Sequence, residues 1–134
     1  MVYQGFTTQA KFVALTELST GTLKMALYTA AADINSATTE YTPTGEVVGT
    51  GYDAGGKELQ NVSVSQSGST AYLSFDNVTW DPANFTARGA LIYNVDIGNL
   101  AIAVLDFGAD KTTTTSFVVQ VPQDTATTAI LRFS

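Results

Sequence analysis

Apolar and polar residues alternate with a period of two along most of this chain, and with a helical period only once, near the N-terminus. Phe12, Leu15 and Leu18, with Val13, fall on one broad helical face. Thr7 or Thr8 is placed to cap that helix, Ser19-Thr-Gly21 to end it, and Phe6 to pack back as a staple. Leu23, Met25 and Leu27 then alternate with Thr22, Lys24 and Ala26, which predicts a first strand. Ala30 to Thr42 is a Thr-rich loop, and Glu46-Val-Val48 a short strand. From Leu59 onward the pattern is β. Val62 and Val64 alternate with polar residues up to a turn at Gln66-Ser-Gly-Ser69. Leu73 and Phe75 form the next strand and Val78 and Trp80 another, with a phase slip at Asp76-Asn77 that predicts a bulge or a break. Asp81-Pro-Ala-Asn84 is a turn in which Pro82 stops pairing. Ala87–Tyr93 and Leu100–Phe107 are apolar on both faces or nearly so, as expected of central strands covered on both sides, with Val95–Asn99 as the hairpin between them. Phe117, Val119 and Val121, and then Ile130–Phe133, complete the series. The expected fold is mainly β, an antiparallel β-sandwich or jelly roll of about eight strands with one short N-terminal helix. No linker divides it, so residues 1–134 are expected to form one domain, with residues 1–20 as an N-terminal arm and helix.

One stretch breaks the alternation. Tyr41–Leu59 holds Gly45, Gly49, Gly51, Gly55 and Gly56 out of 11 glycines. Gly49-Thr-Gly-Tyr-Asp-Ala54 matches the dinucleotide pattern G-x-G-x-x-G/A, and Asp76 lies about 20 residues on, where a ribose-binding acid belongs. That motif must open a helix, whose free N–H groups hold the pyrophosphate. Here two more glycines and a strand follow. The reading is therefore a Gly-shaped crossing between strands, not a nucleotide site.

Composition narrows the function classes. Charged residues make up 13% of the chain, against roughly 25% in typical soluble domains. A polar but weakly charged surface can be buried against other subunits without desolvating many ions. The net charge is −6, and the six basic residues never cluster, which argues against nucleic acid and anionic membrane surfaces as partners. Cys and His are both absent, which removes thiol nucleophiles, Ser-His-Asp triads and the usual zinc, iron and copper sites. The N-terminus lacks the basic and apolar regions of a signal peptide, and no apolar run is long enough to span a bilayer.

The candidate site residues are few. Asp53, Asp76, Asp81, Asp106 and Asp110 show no spacing that singles out a catalytic pair. Asp33-Ile-Asn35 and Asp76-Asn77 offer oxygens for Ca²⁺ without the spacing of a calcium loop. Arg88 stands alone in an apolar strand. A buried Arg needs a carboxylate, and Asp76 or Asp106 is expected to supply a structural ion pair across the sheet. Trp80 and Tyr52 are of the type that stacks on sugars, although one Trp at a strand end is more often core. Asn61, Asn77 and Asn84 begin glycosylation triplets, which carry no weight without a secretory signal. No catalytic residue, cofactor or metal is expected.

Five segments carry a resemblance: Leu23-Lys-Met-Ala-Leu-Tyr-Thr29, Thr42–Lys57, Phe75-Asp-Asn-Val-Thr-Trp80, Ala87-Arg-Gly-Ala-Leu-Ile-Tyr-Asn94 and Ala103-Val-Leu-Asp-Phe-Gly108. Together they resemble a family of small virion structural proteins of tailed bacteriophages. The chain is also similar in size and β pattern to jelly-roll cement proteins that decorate capsid exteriors. The resemblance implies a protein made in the bacterial host cytoplasm and located on the capsid exterior. It implies a homo-oligomer that binds the major capsid protein and stabilises the assembled head. Val2, Tyr3 and Phe6 are candidates for an arm that reaches a neighbour, and Tyr41 and Tyr52 for further partner contacts. The alternative is a tail- or fibre-associated module that binds host-surface carbohydrate.

Overall fold

The computed structural model describes residues 7–68, 70–120 and 131–133. They form one helix, α1 (Thr8–Leu18), and nine strands: β1 (Leu23–Tyr28), β2 (Lys57–Glu58), β3 (Ser63–Ser67), β4 (Thr70–Ser74), β5 (Val78–Trp80), β6 (Phe85–Asn94), β7 (Leu100–Thr113), β8 (Phe117–Val119) and β9 (Leu131–Phe133). Every pairing between them is antiparallel. The chain is thus mainly β with an N-terminal helix. Its strands form three separate sheets, and the chain divides into two compact units, crossing between them after Thr20, Leu59, Asp76 and Gln120.

One unit contains α1 and the sheet β3-β4-β9. The Thr7 hydroxyl accepts from Ala10 N at 3.2 Å and satisfies one of the free amides of the first turn. Helix limits and cap agree with the sequence expectation. The buried line differs: it runs through Lys11 and Leu15, with Phe12 and Leu18 half-buried and Val13 exposed. Lys11 and Leu15 are i, i+4 neighbours on one line, and Val13 sits two residues from each, on the opposite side. The helix packs against β3, β4 and β9, and β4 buries Ala71 and Leu73. Phe6, expected as a staple, lies outside the described residues, as does Val121. The phase slip at Asp76-Asn77 is a break rather than a bulge, because β4 and β5 belong to different sheets.

The other unit contains the sheet β2-β1-β6-β7 and the pair β5-β8. In the larger sheet β1 and β6 are central. Ala26, Tyr28, Leu91 and Tyr93 pack together, covered by Ala32, Ile34 and Tyr41 of the loop that follows β1 and by Ala101. Leu23, Met25, Leu27, Ala90 and Ile92, of opposite phase, are also buried. β6 is therefore covered on both faces, as its apolar run predicts. β7 is not. Among the described strands it is an edge strand whose one partner strand is β6, and its residues range from half-buried to exposed along its length. The apolar run Leu100–Leu105 was legible, but what lies on its second side was not. A second aromatic cluster links Tyr52, Trp80, Phe85, Phe107 and Phe117, with ring centroids 5.2 to 6.3 Å apart.

The Gly-rich stretch forms an interrupted edge strand beside β1. Glu46 bridges Tyr28, Val47 N donates to Leu27 O at 3.0 Å, and β2 then pairs Lys57 with Met25 and Glu58 with Lys24. Residues 48–56 leave this line as an excursion and return. The short strand expected at Glu46–Val48 is only this bridge. Close approach of backbone to backbone explains two of the glycines. A Cβ on Gly51 would lie 1.8 Å from Pro82 O, and one on Gly56 would lie 1.8 Å from Met25 O, with both residues at positive φ. A methyl group at Gly56 must push β1 away, so Gly56→Ala is expected to cost at least about 2 kcal/mol in denaturant unfolding. Gly98→Ala, at positive φ but facing open space, should cost about 1 kcal/mol.

Candidate functional site

The charged centre of the larger unit is Glu46, 9% exposed and placed where the excursion begins. A buried carboxylate must be hydrogen-bonded or paired. Tyr41 Oη donates to its Oε1 at 2.5 Å. Tyr52 Oη donates to Oε2, which also accepts from Gly55 N at 2.8 Å. Among the described residues no cation pairs with it. Neutral donors alone hold the charge, through charge-assisted bonds stronger than neutral ones.

Each tyrosine ties the carboxylate to a different part of the fold. Tyr52 Oη also accepts from Leu27 N at 2.9 Å, so the hydroxyl takes the place of the carbonyl that the interrupted strand does not supply. Tyr28 Oη donates to Thr42 O and Tyr93 Oη to Gly55 O, both at 2.6 Å. Tyr41 stacks on Tyr93 with centroids 4.9 Å apart. Burial first, and the neighbouring Glu46 carboxylate second, push all four phenols up: Tyr28 to about 12, and Tyr41, Tyr52 and Tyr93 likewise above their ordinary value. This arrangement fixes the excursion on the sheet and binds its own backbone.

A groove of about 310 Å³ lies beside it, lined by Tyr28, Ala32, Ile34, Arg88, Val104 and Asp106 among others. A second, of about 350 Å³, is lined by Asn35, Thr38, Ile102 and Val104 among others. Arg88 meets Asp106 at 3.7 Å and Asp110 at 3.9 Å, across the irregularity where residues 107–110 stand opposite residue 88. The Arg88 side chain is 43% exposed, so the pair is a surface one, of about 0–1 kcal/mol. The expected buried pair is corrected in that respect, and Asp110 is a partner that sequence reasoning missed. Asp76 accepts instead from Asn61 Nδ2 at 2.5 Å.

The remaining candidates separate. Tyr52 is 8% exposed and Trp80 1%, so both rings serve the interior and neither presents a face to a sugar or a neighbour. Tyr41 is half-buried and committed to Glu46 and Tyr93. Val2, Tyr3 and Phe6 lie outside the described residues. Asn35 Nδ2 donates to Asp33 Oδ1, and Asn35 Oδ1 accepts from Ala37 N, which closes a local turn. Among the described residues no group of three or more acidic side chains is placed to hold a metal, and no helix is long and apolar enough to cross a membrane. Glu46 itself was missed. Its signal was one acid, in a chain poor in charge, five and six residues from two tyrosines. No protein-family model, curated protein or solved structure matches the chain.

The tyrosines set a pH dependence. A phenol whose folded pKa is raised holds its proton more tightly in the folded chain. Its stabilisation is complete below the unfolded value of about 10 and is lost as pH rises above it. Spectrophotometric titration should show Tyr28, Tyr41, Tyr52 and Tyr93 ionising together with cooperative unfolding on the alkaline side. Ordinary, independent ionisation in a chain that stays folded would contradict the geometry.

Proposed function

We propose that this protein is a non-enzymatic structural component of a tailed-bacteriophage particle, a cement or decoration protein that binds the assembled head from outside. The observation that carries the reading is a coincidence of segments. Those that resemble the phage family include β1, most of β6, most of the free part of β7 and the Gly-rich excursion, which together supply the centre of the larger sheet and, Tyr41 apart, its Glu46 clasp. A family likeness confined to loops would say little, whereas one that follows the framework supports a shared architecture.

Two further features support a binding role. The one carboxylate of the clasp is spent on the chain's own backbone and hydroxyls. The exposed surface carries β-branched apolar side chains, among them Val48, Ile97, Val104 and Val118, in a chain with few charges to desolvate. The jelly-roll sandwich typical of such proteins, the contact with major capsid protein and the position on the capsid exterior belong to the same proposal. The mechanism is mass action: a protein that binds only the assembled lattice stabilises that lattice.

Purified protein added to capsids of the phage that encodes it is expected to bind the mature lattice and to raise the temperature at which the heads disrupt. Failure to bind any capsid form would overturn the reading.

A further inference from the structure

The outer edge of β7 is closed at one end and reshaped at the other. At its start Glu40 bridges Leu100, Ala101 N donates to Thr39 O and Tyr41 N donates to Asn99 O, both at 3.0 Å. Loop residues 39–41 therefore occupy the place of a neighbouring strand. At the far end the register shift of residues 107–110 bends the strand away from regular pairing. Ile102, the extra residue at the other register shift, and Asp106 mark the ends of what remains. Among the described residues nothing pairs with the outer side of this segment. Its midpoint is Val104, 37% exposed and shared by both grooves.

Exposed edges are usually guarded by charge, Pro or a bulge, because their open N–H and C=O groups accept another strand. Here the guards stand at the ends. Ile102-Ala-Val-Leu105 between them carries none. We propose that two copies of this chain join here, β7 to β7 and antiparallel, about a twofold axis through Val104, making one continuous eight-stranded sheet. Backbone chemistry requires the occupant to be an extended strand. Symmetry and charge select the same strand of a second copy. The free segment is centred on one residue, so a twofold axis there sets the loop 39–41 of each copy against the point where the other copy's strand bends away. Antiparallel pairing puts Asp106 opposite Ile102 of the second copy, whereas parallel pairing would set Asp106 against Asp106, and like charges directly opposite are unfavourable. The inference rests on the homo-oligomer that the sequence resemblance implies, but not on the capsid, so the dimer and the capsid assay fail separately.

The test uses the full chain with Val104→Lys and Val104→Glu. Light scattering and sedimentation should show the unmodified chain as a dimer. Each variant should associate on the order of tenfold more weakly or worse while melting like the unmodified chain. An equimolar mixture of the two should recover the dimer, because the twofold axis sets Lys against Glu. Should a variant fail to fold, amide hydrogen exchange of the unmodified chain decides. Residues 102–106 should exchange more slowly as concentration rises, and Thr112 and Thr113 should not. A chain that stays monomeric, an oligomer indifferent to both substitutions, a mixture without recovery, or exchange at 102–106 independent of concentration would each overturn the proposal.

Discussion

A single buried carboxylate holds the larger unit in its form. Glu46 sits where the strand beside β1 is interrupted, and residues 48–56 must leave the sheet and return. An interruption of this kind leaves backbone groups without ladder partners, and buried polar groups left so are costly. Tyr52 resolves this by accepting from Leu27 N and donating to Glu46, which in turn holds Gly55 N and Tyr41. Local charge, aromatic packing and backbone satisfaction are thus one network, and its members come from β1, β6, the loop that follows β1 and the excursion.

That network explains why the Gly-rich stretch is built as it is. Glycines let the backbone approach Met25 and Pro82 closely, and the tyrosines supply the polar contacts that such a thin backbone lacks. With the inner side of the sheet fixed in this way, the variable feature is the other edge. There β7 runs on for 14 residues, and past the loop residues 39–41 at its start β6 is its one partner among the described strands. A weakly charged chain with one firmly clasped edge and one open edge suits a protein whose work is contact.

Much of the architecture was legible in sequence. The helix, its Thr7 cap, most strands and the break at Asp76-Asn77 follow from period and turn chemistry, which are local properties. The misreadings share one cause: they depend on what lies across space. Tyr52 looks like a surface aromatic in a flexible loop until Leu27 and Glu46 are seen beside it. Arg88 looks buried because its neighbours in sequence are apolar, but the register shift opposite it opens that position to solvent. The apolar run in β7 is the same whether a strand of its own chain, another chain or nothing lies alongside. Glu46 was invisible because its role is assigned by residues 41, 52 and 55 converging on it.

The central claim is that Glu46 and Tyr52 act as one unit in holding the excursion. The direct measurement is a double-mutant cycle of Glu46→Gln and Tyr52→Phe, followed by denaturant unfolding of the four proteins. Each single change should destabilise by about 1–3 kcal/mol, and the pair should cost less than their sum by about 1–2 kcal/mol, because each removes the same bond. Additive effects, or a Glu46→Gln chain as stable as the original, would contradict it.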